Sequence, residues 1–173
     1  VPFEAIQLID GSIVYKEFDS NTPLSVSNTP YSTIDDELSV ALWFRVDSEG
    51  AKSILAKGAS GSNYAIQYTS EKKISVVTGP ESDSCAAFVS SNTYEVNQWH
   101  FVAFTLQTTE ISTGTKTVFI DGVYSTCTYN LMNVPDTSAS IVIGENGGIT
   151  VADFKLYKYA LSESEIKSLA TPF

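Results

Sequence analysis

Short segments in which apolar and polar residues alternate, each closed by turn-forming residues, run through most of this chain. A period of two puts successive side chains on opposite faces, as strands half-buried in a sheet require. Segments 4–9 and 12–18 flank Asp10-Gly11, a hairpin-type pair. Segment 38–46 (LSVALWFRV) is a longer run of the same character. Segments 53–57, 64–69 and 73–78 follow, separated by Gly58, Gly61 and Gly79-Pro80. Segments 99–106 and 116–120 lead into a second pair, Asp121-Gly122, and segment 123–128. Segments 140–144 and 149–157 close the series, split by Glu145-Asn146-Gly147-Gly148. Such a succession predicts an all-β sandwich. No linker, repeat or low-complexity block interrupts it, so one domain over residues 1–173 is expected.

One helix is predicted, over residues 162–169. Ser162 and Glu165 have the spacing of a capping box, in which each side chain satisfies the other's backbone amide. Leu161 before the cap and Ile166 at the fourth helical position have hydrophobic-staple spacing.

Charge narrows the partners. Ten basic residues against 20 acidic ones give a net charge of −10, which argues against nucleic acid and anionic membranes. No apolar run reaches the roughly 18–20 residues that span a bilayer, so no membrane insertion is expected. The chain opens on Val1, as expected of a processed or excised segment, and shows no signal peptide. Cys85 and Cys127 read as two buried thiols or, the favoured reading, as a disulfide, since both lie in strand-like, polar-flanked stretches. A disulfide implies an oxidising compartment, hence an extracellular location.

Several blocks resemble the laminin-G-like (concanavalin-A-like, pentraxin-related) family. LSVALWFRVD is similar to the family strand that follows an N-terminal hairpin, and WHFVAFTL to its Trp-His-x-Val-Ala-x-Thr strand. TVFIDGVYST resembles the next hairpin, and IVIGENGG with VADFKLYKYALSESEI resembles the closing strand and helix. The blocks fall in the family's order. The resemblance implies a two-sheet antiparallel jelly roll with one short C-terminal helix. It also implies glycan or protein binding, often through calcium.

The chemistry points away from catalysis. His100 is the only histidine, so no His-x-x-x-His zinc pair exists, and beside Trp99 it reads as structural. No Gly-x-Ser-x-Gly nucleophile elbow occurs. Glycan hydrolases of this shape carry a Glu-x-Asp-x-x-Glu-type strand, which is missing. The nearest acidic cluster, Asp35-Asp36-Glu37, is contiguous and reads as a solvated turn. No catalytic, cofactor or metal residue is therefore assigned. Calcium is the candidate ion for the acidic loops at residues 81–83 and Glu145-Asn146. Many relatives place an aspartate in the closing strand where Ala152 stands here. Asp153 beside it is expected on the opposite sheet face. Tyr31, Tyr64, Tyr68, Tyr94, Tyr124 and Tyr129 are the aromatic candidates for a glycan-binding face.

The expected function is an extracellular, non-enzymatic binding or structural module for a glycan or an extracellular protein. The alternative is a self-assembling subunit of a fibre or pilus-like filament, and a glycan-active hydrolase ranks last. Segment 1–18 is strand-like and carries few charges. It is expected to close its own sheet, but could instead add to the edge of a second copy.

Overall fold

The computed structural model describes residues 5–7, 13–15, 18–19, 23–27, 37–58, 63–79, 85, 87–108, 113–130, 138–145 and 147–171. Its first strands are β1 (Ala5–Gln7), β2 (Ile13–Tyr15), β3 (Phe18–Asp19), β4 (Leu24–Val26), β5 (Glu37–Val46), β6 (Lys52–Lys57) and β7 (Tyr64–Tyr68). They continue as β8 (Ile74–Thr78), β9 (Ala87–Val89), β10 (Trp99–Thr108), β11 (Thr113–Ile120), β12 (Val123–Asn130), β13 (Ile141–Ile143) and β14 (Ile149–Tyr157). One helix follows, α1 (Glu163–Leu169). Among the described residues no helix is long and apolar enough to cross a membrane.

The strands form two antiparallel sheets. The larger runs β1-β2-β14-β5-β10-β11-β12, with β3 also on β14; the smaller runs β4-β13-β6-β7-β8-β9. The chain crosses between the sheets, so neighbours such as β14 and β5 are far apart in sequence, which gives the jelly-roll sandwich. β1 pairs with β2, and β2 with β14, so the N-terminal hairpin closes this chain's own sheet. The sequence pattern passes over three strands: β3, β4 and β9, of two or three residues, too short to show a period.

The main core lies between the sheets. Val40, Leu42 and Phe44 of β5 face Ile54, Ile66 and Val76 in one buried cluster. β5 is buried on both faces, because Ala41 and Trp43 point outward into a second cluster that α1 covers through Ile166. Trp43, Phe101 and Phe119 cross this outer face edge to face and Tyr124 adds a tilted ring, with centroids of successive rings 4.7–5.7 Å apart. Covering both faces explains why segment 38–46 is so evenly apolar.

α1 begins as its capping residues require. Ser162 Oγ accepts from the Glu165 amide at 3.2 Å, and Glu165 Oε1 accepts from the Ser162 amide at 3.3 Å. Leu161 and Ile166 are both buried in the outer cluster.

β14 corrects one expectation. Strict alternation would send Asp153 to the face opposite Ala152, into the core. Instead the register with β5 slips between Ala152 and Lys155, and Asp153 takes a left-handed φ of 54°. The bulge lets Val151, Phe154 and Leu156 all join the inner core. It also leaves the carboxylate half-buried, 2.7 Å from Lys155 Nζ.

Candidate functional site

The ends of three neighbouring strands bring a small polar and aromatic row together on the outer face of the larger sheet. Thr150 of β14 pairs with Arg45 of β5, and Arg45 with Trp99 of β10. The guanidinium carbon of Arg45 lies 5.3 Å from the Trp99 ring centroid, a cation–π distance. Arg45 Nε donates to Asp47 Oδ1 at 3.1 Å, and Nη2 to Thr150 Oγ1 at 3.4 Å. Thr150 Oγ1 in turn donates to Asp47 Oδ2 at 3.4 Å. The side chains of Arg45 and Asp47 remain 38% and 32% exposed, so their remaining hydrogen-bonding capacity faces solvent. Thr150 itself is buried and fixes the pair from behind, while a partly exposed aromatic ring beside a fixed guanidinium and carboxylate can stack on a sugar ring and bond its hydroxyls. It holds no nucleophile–base pair.

The loops around this row are pinned. The Asp47 amide donates to the Gly148 carbonyl at 2.8 Å. At Gly148 (φ +70°) a Cβ would meet Lys52 Cε and Nζ at 3.1 Å, so glycine lets the lysine stem lie against this turn. Lys72 reaches Glu95 at 3.0 Å and Glu49 at 3.3 Å, tying three loops together. Glu95 first, and then Glu49, hold the Lys72 ammonium above its ordinary pKa.

The tyrosine candidates do not form a face. Tyr64 and Tyr68 occupy inward positions of β7 on either side of Ile66 and are buried in the main core with Tyr94. Burial alone pushes the Tyr64 phenol pKa well up. Tyr68 donates its hydroxyl to the Tyr94 carbonyl at 2.8 Å. Tyr124 is half-buried against Phe119 and donates to the Glu163 carbonyl at 2.9 Å. Tyr31 and the Tyr129 side chain lie outside the described residues, as do Asp35, Asp36, residues 81–83 and Asn146.

His100 is inside the molecule, with Nδ1 2.7 Å from Asp121 Oδ2 and Nε2 2.9 Å from the Glu95 carbonyl. Cys85 and Cys127 form a disulfide across 5.8 Å between Cα atoms. Ala152 is buried in the outer cluster. Among the described residues no group of three or more His, Cys, Asp or Glu side chains is placed to hold a metal ion.

Sequence reasoning missed Arg45 and Trp99. A signal was present: Arg45 is the only arginine, and Trp99 one of two tryptophans. Their meeting depends on the β5–β10 register, which no local pattern reveals.

No curated protein matches the sequence. Several solved structures share the fold. One is of botulinum neurotoxin type C, a toxin dependent upon interaction with two ganglioside molecules to enter cells, at 13% identity and a TM-score of 0.62. Another is the binding domain of botulinum neurotoxin DC in complex with rat synaptotagmin II, at 15% identity and a TM-score of 0.59. The alignments cover 98% and 97% of this chain but only 45% of each of those chains, so the match spans less than half of either. At these identities the likeness shows the fold alone. The sequence itself matches the Laminin_G_3 family profile over residues 18–167, and the chain therefore belongs to that family of the concanavalin A-like lectin/glucanases superfamily.

Proposed function

We propose that this chain is an extracellular, non-catalytic recognition module whose ligand is a glycan. The observation that carries the reading is the Thr150–Arg45–Trp99 row, in which the buried Thr150 hydroxyl fixes a half-exposed guanidinium and carboxylate beside a partly exposed tryptophan ring. The disulfide supports an oxidising, extracellular setting. The ganglioside interaction of one neurotoxin and the synaptotagmin complex of another make glycan and protein the two ligand classes to test. The row favours glycan, because its polar groups are few, fixed and set around an aromatic ring.

The test is a glycan array probed with the wild-type chain and with Trp99→Ala and Arg45→Ala, with and without a calcium chelator. Binding that survives chelation and weakens roughly tenfold in each variant is expected, as loss of a stacking or charged contact predicts. Glycan binding that neither variant alters would place the site elsewhere. Turnover of a fluorogenic glycan panel would overturn the non-catalytic part.

A second reading, edge-to-edge assembly of copies, has one observation behind it. Among the described residues β12 pairs on one side only, over eight residues without a register slip, and it carries no charged residue or proline. Such an edge lacks the usual protection against strand addition.

A further inference from the structure

At the far end of β14 from Thr150, roughly 20 Å away by strand rise, the outer face carries a hollow that the glycan reading does not use. Its volume is about 240 Å³, and Tyr157, Tyr159, Leu161, Glu165, Ser168 and Leu169 line it. Tyr157 and Tyr159 meet at a corner, with ring centroids 5.5 Å apart and planes 64° apart. Tyr159 is the more open ring, at 37% exposure.

The corner is held from behind. Ser39 Oγ donates to the Tyr159 carbonyl at 2.7 Å and accepts from the Leu161 amide at 2.9 Å. The Ala160 amide donates to Glu37 Oε2 at 2.8 Å. The turn that presents the two rings is thus fixed to β5.

Glu165 supplies a charge. Its two oxygens accept from the Ser162 amide and the Tyr159 hydroxyl, both at 3.3 Å. Both donors are neutral, and among the described residues no lysine or arginine pairs with this carboxylate. Among the described residues no cationic side chain lines the hollow. The Tyr159 hydroxyl is directed to Glu165, and the Ser168 hydroxyl to the Ser164 carbonyl, so these two hydroxyls have no proton left to donate and keep only acceptor capacity. The open Tyr159 ring with the largely buried Tyr157 ring beside it, an apolar floor and a carboxylate that no cation of the described residues pairs suit a bulky, weakly hydrated cation. We propose that this hollow binds a methylated ammonium group.

The hollow shares no residue with the Arg45–Trp99 row, so the two sites stand or fall separately. The test is a ligand-observed NMR titration with choline chloride, matched against sodium chloride at equal ionic strength. The uncharged isostere 3,3-dimethyl-1-butanol serves as the shape control. Choline should bind and the isostere should bind at least roughly tenfold more weakly. Glu165→Gln removes the charge but keeps a side chain that can complete the capping box, so the helix stays in place while choline binding drops by a similar factor. Tyr159→Ala should lose binding, with the thermal melt checking that the chain remains folded. Absent choline binding, equal binding of the isostere, or choline binding indifferent to both variants would overturn the assignment.

Discussion

His100 has a hydrogen-bond acceptor at each ring nitrogen: the Asp121 carboxylate at Nδ1 and the Glu95 carbonyl at Nε2. A neutral imidazole donates from only one nitrogen, so this geometry is fully satisfied by the imidazolium. Burial works against the charge, but the Asp121 carboxylate and then the Glu95 carbonyl outweigh it and hold the pKa above the ordinary 6.5. Because the folded value is raised, the stabilisation is fully present below about pH 6.5. It is lost as pH rises through the folded-state pKa. As the only histidine, its ring-proton NMR resonances need no assignment. Their titration midpoint should lie above 6.5, and unfolding by denaturant should require less denaturant at pH 8.5 than at pH 6. A midpoint below 6.5 would refute the charged pair. The sequence indicated that His100 is structural, because it offers no second imidazole, but not what holds it, since Glu95 and Asp121 converge only through tertiary contact. The same applies to Tyr64 and Tyr68. A tyrosine in an alternating strand reads alike on either face, and only the position of Ile66 between them marks theirs as inward.

The elements show where local signals suffice and where they do not. α1 was legible because a capping box and a staple are written within a few residues, and tertiary packing agrees with them. The bulge at Asp153 was not, because it answers a demand made by β5 and the core rather than by β14's own sequence. The disulfide joins two elements that sequence leaves apart, clipping β12 at the edge of the larger sheet to the chain just before β9 at the edge of the smaller. Lys116 of β11, the register partner of Cys127, adds to this seam. Its fully buried ammonium donates to the Val76 carbonyl at 2.7 Å and the Cys85 carbonyl at 3.0 Å. The bond closes a loop with a sequence separation of 42, for which the chain-entropy relation gives about 4 kcal/mol. The Cys85→Ser/Cys127→Ser double variant should therefore lose about that much stability in denaturant titrations, and reduction of the native chain should shift its midpoint the same way. A loss below about 1 kcal/mol would mean that Lys116 and the packing hold the seam without the bond.

At the scale of the whole molecule, the order of the family-like blocks carried the architecture, since it specifies which strands exist and how the chain returns. The Arg45–Trp99 row proposed to bind glycan was illegible by comparison, because it is assembled from the ends of β5, β10 and β14 and exists only once they are in register. The same long-range pairing decides what the N-terminal segment does. β1 is the outermost strand at one edge of the larger sheet and β12 at the other. Addition of one copy's β1 edge to another's β12 would continue that sheet in one direction and so propagate without closing. Against this stand the net charge of −10, which makes copies repel one another, and the pairing of β1 within its own hairpin. Deleting residues 1–9 separates the possibilities. Among the described residues β1 pairs only with β2, whereas β14 is covered directly by β2, so the truncated chain should fold cooperatively with a lowered melting temperature. Light scattering across a concentration series should give truncated and full-length chains the same oligomeric state. A full-length chain that polymerises, a truncated one that does not, and a Thr126→Lys variant that also fails to polymerise would together establish β1-to-β12 addition, because a lysine on that exposed, uncharged edge blocks the incoming strand.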